Sequence, residues 1–306
     1  MSKPKVVVIC GPTASGKTAL SIELAKRIGG EIVSCDSMQI YQGMTIGTAK
    51  PTVEEMDGIK HYLIDFVPPN RRYSVADFKK DAKQAIQEIL ARGKVPIIVG
   101  GTGLYVNSLI YEIEYSEMEP DEKYRKQLEE QAKQEGLEKL YEEAVKIDKQ
   151  AMEKVSKNDQ KRILRVLEIY HQTGKTKTQQ ERESRQKKPE YDYRIFGITM
   201  DRQKLYERIN LRVDLMIKQG LIQEVQSLIQ KYDAFPTAMQ GLGYKEVVEY
   251  LNGTLTKEEM IEKLKMETRR YAKRQLTWFR RIENLIWLDG LEVKEKNIAI
   301  ILEEMK

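Results

Sequence analysis

The sequence predicts an α/β protein in which a parallel sheet, flanked by helices, is interrupted by an all-helical insertion. Three observations predict it. The octet GPTASGKT at residues 11–18 directly follows the apolar run Val6, Val7, Val8 and Ile9. Strand-like runs alternate with helical periodicity through the first third of the chain, the pattern of βαβ units. Between residues 115 and 194 charged residues dominate and strand signals stop.

The octet fits the phosphate-loop template G-x-x-x-x-G-K-[ST], so the sheet is expected to be P-loop NTPase-like. Gly11 and Gly16 let the backbone wrap an anion, with Pro12, Thr13, Ala14 and Ser15 between them. Lys17 adds a point charge, and the Thr18 hydroxyl is a candidate ligand for Mg2+. The following helix buries Ala19, Leu20, Ile22, Leu24 and Ala25 and aims its positive dipole end at the same anion. The loop specifies a diphosphate or triphosphate without saying which molecule carries it.

Strands are expected at 5–10, 31–35 and 95–99. A helix starts at the capping-type sequence Ser74-Val-Ala-Asp77 and runs through Phe78, Ala82, Ala85, Ile86 and Ile89. Within the insertion, helical spacing links Leu128, Leu137, Leu140 and Val145, and later Ile163, Val166, Leu167 and Ile169. The domains are therefore 1–114 with 195–306, and 115–194. Residues 176–190, TKTQQERESRQKKPE, have almost no apolar member and predict a mobile basic arm. Residues 193–199 read as a strand returning to the sheet. A helix follows from Asp201 past Leu205, Ile209, Val213 and Met216 to Gly220. The last strong element opens at the capping box Thr256/Glu259 and buries Ile261, Leu264, Thr268, Tyr271, Ala272, Leu276 and Phe279. Arg269, Arg270, Lys273, Arg274, Arg280 and Arg281 occupy its other faces.

With 306 residues, 41% of them hydrophobic, the chain can form one large domain plus an insertion. No apolar run approaches the roughly 20 residues that span a bilayer. The start MSKPKVVVIC lacks a secretory signal, so a cytoplasmic location is expected; the chain is separately expected to be a monomer. Cys10 and Cys35 end strands and, with only His61 and His171 beside them, read as buried thiols rather than a metal site. Net charge is +5 but uneven: residues 154–188 hold 11 Lys/Arg against 4 Asp/Glu, and residues 263–281 hold 8 against 1. Two such stretches suit a polyanion larger than a nucleotide.

A nucleotide-hydrolysing P-loop enzyme ends an apolar strand in an aspartate that helps hold Mg2+. Here the 95–99 strand runs into Gly100, Gly101, Thr102 and Gly103, and the acid instead follows the second strand, at Asp36. One base beside a phosphate site suits group transfer to a hydroxyl or amine. The structural alternative for Asp36 is an Asx turn or helix cap. The glycines could admit a substrate or form a turn. Arg208 and Arg212 share a helix face, and either could close on a diphosphate or form a surface ion pair. On the residues alone, a small-molecule kinase and a nucleotide-switched RNA-binding protein stay open.

Six segments taken together resemble the tRNA dimethylallyltransferase (tRNA isopentenyltransferase) family. They are GPTASGKT at 11–18, DSMQIYQGMTIGTAKP at 36–51, YSVADF at 73–78, VPIIVGGTGLY at 95–105, DRQKLYERI at 201–209 and TRRYAKRQLTWFRR at 268–281. The resemblance implies transfer of a dimethylallyl group from dimethylallyl diphosphate to the exocyclic amine of the adenine beside the tRNA anticodon. Mg2+ assists and pyrophosphate is released. It further implies that residues 11–18 hold the donor's diphosphate, with help from Arg208, and that Asp36 accepts or orients the amine proton. Asp36, Ser37, Met38, Gln39 and Thr102 would contact the extruded adenine and its neighbours. Gln160, Lys161, Arg162, Ile163, Leu164 and Arg165 of the insertion would grip the anticodon loop. Eukaryotic members carry a C-terminal zinc finger that two cysteines cannot supply, so the resemblance is to the bacterial type.

Overall fold

Among the described residues, six strands form one sheet in the order β3-β2-β4-β1-β5-β6, every neighbouring pair parallel. The structure is a computed structural model that describes residues 3–113, 121–185 and 188–306. It divides into two compact units, Met1–Ile110 with Glu190–Lys306, and Tyr111–Pro189.

In the first unit the chain runs β1 (Lys5–Cys10), α1 (Lys17–Ile28), β2 (Gly30–Ser34), α2 (Val53–Met56), β3 (His61–Tyr62), α3 (Val75–Ala91), β4 (Val95–Gly100) and α4 (Gly103–Ile110). The second unit holds α5 (Glu122–Glu135), α6 (Leu137–Ile147), α7 (Lys149–Met152), α8 (Gln160–Thr173) and α9 (Lys177–Arg185). The chain then returns to the first unit as β5 (Asp192–Thr199), α10 (Arg202–Gln219), α11 (Leu221–Lys231), α12 (Tyr244–Leu251), α13 (Lys257–Phe279), β6 (Ile286–Asp289) and α14 (Lys294–Glu304).

One face of the sheet buries Val7, Ile9, Ile32, Ile97 and Phe196 against Leu24 of α1 and Ile298 and Ile301 of α14. The intervening residues Val6 and Val8 are also buried, as expected of a strand covered on both faces. The capping box at Ser74 and Asp77 starts α3, whose Phe78 stacks on Tyr105 of α4 at 4.0 Å. A second core gathers Ile40, Tyr41 and Met44 with Val213, Leu221, Tyr244, Val247, Met260 and Leu264. It anchors the segment after β2 beneath α10 to α13.

Glu224 fixes the far end of that segment. Its carboxylate accepts from the backbone N–H groups of Thr45, Ile46 and Gly47 at 3.0, 2.7 and 3.2 Å, and from the Tyr244 hydroxyl at 2.6 Å. Glu224→Ala orphans these donors and is expected to lower the unfolding free energy by about 3 kcal/mol in a urea titration. A loss below about 0.5 kcal/mol would mean that water replaces the carboxylate.

Two sequence expectations change. The expected boundaries of 115–194 become 111–189, because β5 begins at Asp192 and belongs to the sheet. The expected start at 115 lies outside the described residues. The expected mobile arm at 176–190 is helical over α9, whose Thr178 donates through its N–H and hydroxyl to Asp148 at 2.8 and 2.6 Å. Asp148 also caps α7 through the Ala151 N–H, so one buried carboxylate docks both helices. Residues 186 and 187 of the arm lie outside the described residues. Among the described residues, no helix is long and apolar enough to cross a membrane.

Candidate active site

The carboxyl ends of β1, β2 and β4 open at one edge of the sheet, where a doubly covered α/β sheet places its ligands. Pairing sets Cys10 opposite Gly100, and Ser34 opposite Val99. The phosphate loop, Asp36 and the glycine run therefore stand at one level. Around them lies a cavity of about 660 Å³, built wholly from first-unit residues.

Gly16 forms the turn into α1 at φ 90°, a left-handed conformation that a side chain would strain. The Lys17 ammonium donates to the carbonyls of Gly11 and Pro12 at 3.0 and 2.6 Å. Burial, followed by repulsion from Arg212, pulls the Lys17 pKa down to about 8. Ser15 is buried, and its hydroxyl has no hydrogen-bond partner among the described residues. Residues 13–18 all line the cavity.

Asp36 forms the turn anticipated as its structural alternative. One carboxylate oxygen, Oδ1, accepts from the N–H groups of Met38 and Gln39 at 2.9 and 3.3 Å, an Asx turn. The residue nonetheless lines the cavity, and Oδ2 takes no hydrogen bond from the described residues. Thr102 does not line the cavity itself. Its hydroxyl accepts from the Ser37 N–H at 3.0 Å and donates to the Ser37 hydroxyl at 3.3 Å. Gln39 is engaged by protein, donating to the Thr48 and Ala49 carbonyls and accepting from Ser34.

The glycine run is filled by protein groups. A Cβ on Gly100 would stand 2.0 Å from the Cys35 carbonyl oxygen, and on Gly101 2.2 Å from Gln275 Nε2. On Gly103 it would meet the Trp278 indole at 2.3 Å. The β4–α4 turn is thus held tight against β2 and α13, and no substrate is needed to explain it.

Four cations, Lys17, Arg212, Lys245 and Arg274, and two carboxylates, Asp36 and Glu55, line the cavity. Val213, Met216, Leu242 and Leu264 give it an apolar wall. Arg212 donates to the Thr13 hydroxyl at 3.1 Å, and burial lowers its pKa, opposed by Glu55 and Asp36.

A family model described as IPP transferase matches residues 39–282. The chain belongs to the IPP transferase family. The tRNA dimethylallyltransferase of Acetivibrio thermocellus is 55% identical over 96% of this chain and 95% of its own length. That of Carboxydothermus hydrogenoformans is 50% identical over 98% and 97%. The crystal structure of a tRNA delta(2)-isopentenylpyrophosphate transferase from Staphylococcus epidermidis matches at a TM-score of 0.73 and 44% identity, covering 99% of both chains. A eukaryotic dimethylallyltransferase captured acting on tRNA matches at 0.81 and 31%, covering 99% of this chain and 79% of that one.

In this IPP transferase the structure separates the two arginines. Arg208 is exposed, reaches the Gly290 carbonyl at 3.5 Å and does not line the cavity, whereas Arg212 does. The expectation for Arg208 rested on motif position, and spacing could not choose, because both arginines flank the buried stripe Leu205, Ile209 and Val213. Of the insertion residues expected to touch RNA, Gln160, Lys161, Arg162 and Arg165 are exposed on α8. Ile163 and Leu164 are corrected to core positions, 0% and 1% exposed, since the apolar stripe of α8 builds the second unit's interior. Gln275 was missed by the sequence reading. Its one signal is an amide on the otherwise apolar side of α13, between Ala272 and Phe279.

Proposed function

We propose that this IPP transferase moves a dimethylallyl group from dimethylallyl diphosphate to the exocyclic amine of the adenine beside the tRNA anticodon. The observation that carries the reading is the union, in one cavity, of a cationic phosphate loop, an apolar wall and the Asp36 carboxylate. A branched five-carbon diphosphate is amphiphilic in the same sense. The diphosphate sits in residues 11–18, with Lys17, Arg212 and the orphaned Ser15 hydroxyl as partners. Val213, Met216, Leu242 and Leu264 receive the prenyl chain.

The bond from the adenine nitrogen to C1 of the prenyl group forms as the C1–O bond breaks, and that electron pair leaves with pyrophosphate. The amine proton passes to Asp36 Oδ2, the oxygen left over by the Asx turn. Thr18, which lines the cavity, would supply an oxygen ligand for Mg2+. No Cys or His is among the described cavity-lining residues, so the donor set suits a hard cation. The ion's chemistry is to neutralise the leaving pyrophosphate. The adenine must leave its stack to present the amine, while Lys273 on α13 and Arg280 and Arg281 just past its end, with the exposed α8 cations, hold RNA phosphates. A tRNA substrate puts the reaction in the cytoplasm.

The test is incubation with radiolabelled dimethylallyl diphosphate, Mg2+ and unmodified tRNA. Label appearing in RNA is expected; phosphorylation of a metabolite from ATP with no RNA labelled would overturn the reading. The arginines give a second check. Arg212→Ala is expected to weaken pyrophosphate binding by about tenfold or more in calorimetry, the loss of one charge-assisted contact. Arg208→Ala should change it by less than about twofold, and the opposite ranking would reassign the diphosphate contact.

A further inference from the structure

Gln275 is 6% exposed on α13 and spends both ends of its amide on backbone from two different loops. Its Oε1 accepts from the Thr13 N–H of the phosphate loop at 2.9 Å, and its Nε2 donates to the Gly101 carbonyl at 2.8 Å. The two attachment points belong to opposite sides of the reaction. Thr13 opens the loop that carries Lys17 and Thr18, and its hydroxyl is held by Arg212. Gly101 precedes Thr102, whose hydroxyl holds the N–H of Ser37 next to Asp36.

We propose that Gln275 is a positioning residue that sets the spacing between the donor diphosphate and the Asp36 base by clamping the phosphate loop to the β4–α4 turn. The inference rests on the donor and acceptor sites given above. Glutamine alone meets the requirement. Asparagine is a methylene shorter, methionine has the length but neither polar end, and glutamate can accept from Thr13 but repels the Gly101 carbonyl. Gly101 is part of the same device, since any side chain there would displace Nε2. Small misplacements between reacting groups cost rate far more than they cost binding.

The experiment compares Gln275→Met and Gln275→Glu with the wild-type protein in the labelled-transfer assay, alongside melting temperatures. Q275M is expected to lower kcat by about tenfold or more while each KM stays within about threefold. In Q275E, activity relative to wild type should rise as pH falls from about 9 to about 6, because a protonated glutamic acid regains a donor for Gly101. If Q275M does not fold, the Q275E profile decides alone. Unchanged kcat in both variants, or a loss shared by kcat and KM with a flat Q275E ratio, overturns the proposal. Should wild type label no RNA, the functional reading fails separately. The clamp is then judged by hydrogen exchange in residues 11–18, which Q275M accelerates if the clamp exists and leaves unchanged if it does not.

Discussion

Replacing Asp36 by Asn is expected to slow label transfer to tRNA by on the order of a hundredfold to ten-thousandfold, the range for a lost general base. Asparagine keeps an oxygen for the Met38 and Gln39 N–H groups, so the Asx turn survives and only the proton acceptor is lost. Pyrophosphate binding should therefore persist in the variant, somewhat tightened because a negative charge leaves the cavity. Single-turnover transfer with D36N and calorimetry with pyrophosphate separate the two effects. Transfer within about threefold of wild type would remove Asp36 from the chemistry and leave it a turn residue.

The second large effect belongs to Lys17. Its ammonium is held near pKa 8 in the free protein by burial and by Arg212, against 10.5 for an unperturbed lysine. An unfolded chain binds the proton more tightly than the folded one between these values, so this group makes folding more favourable as pH rises from about 8 to 10.5. Diphosphate binding runs the other way. The anion prefers the protonated lysine and raises its pKa, so affinity should fall as pH climbs above about 8. Binding near that pH should also take up protons, visible as a dependence of calorimetric heat on the buffer's ionisation enthalpy. Lys17→Ala should abolish the proton uptake and weaken pyrophosphate binding by about a hundredfold. A pH-independent affinity from 7 to about 9.5 would show that Lys17 is not the responding group.

The edge elements escaped the sequence for a local reason. The strand β3 has two residues and β6 four, too short for alternation to register, and both lie at the edges of the sheet. The central strands carry long apolar runs because both of their faces are covered. The arm at 176–190 illustrates a different limit. Its polarity argued for mobility, yet α9 folds because Asp148, 30 positions upstream, accepts from Thr178. Long-range partners of this kind leave no periodic trace.

By itself the sequence determined the phosphate loop, the parallel sheet, the helical insertion, the missing acid after β4 and the carboxylate after β2. Each of these is written in neighbouring residues, where backbone geometry and short-range periodicity decide the outcome. Only the tertiary structure decided that Arg212 rather than Arg208 faces the cavity, that Ile163 and Leu164 are core, and that Gln275 joins the phosphate loop to the Gly101 turn. Those outcomes depend on which face of a helix meets which loop, and that is fixed by packing between residues up to 262 positions apart.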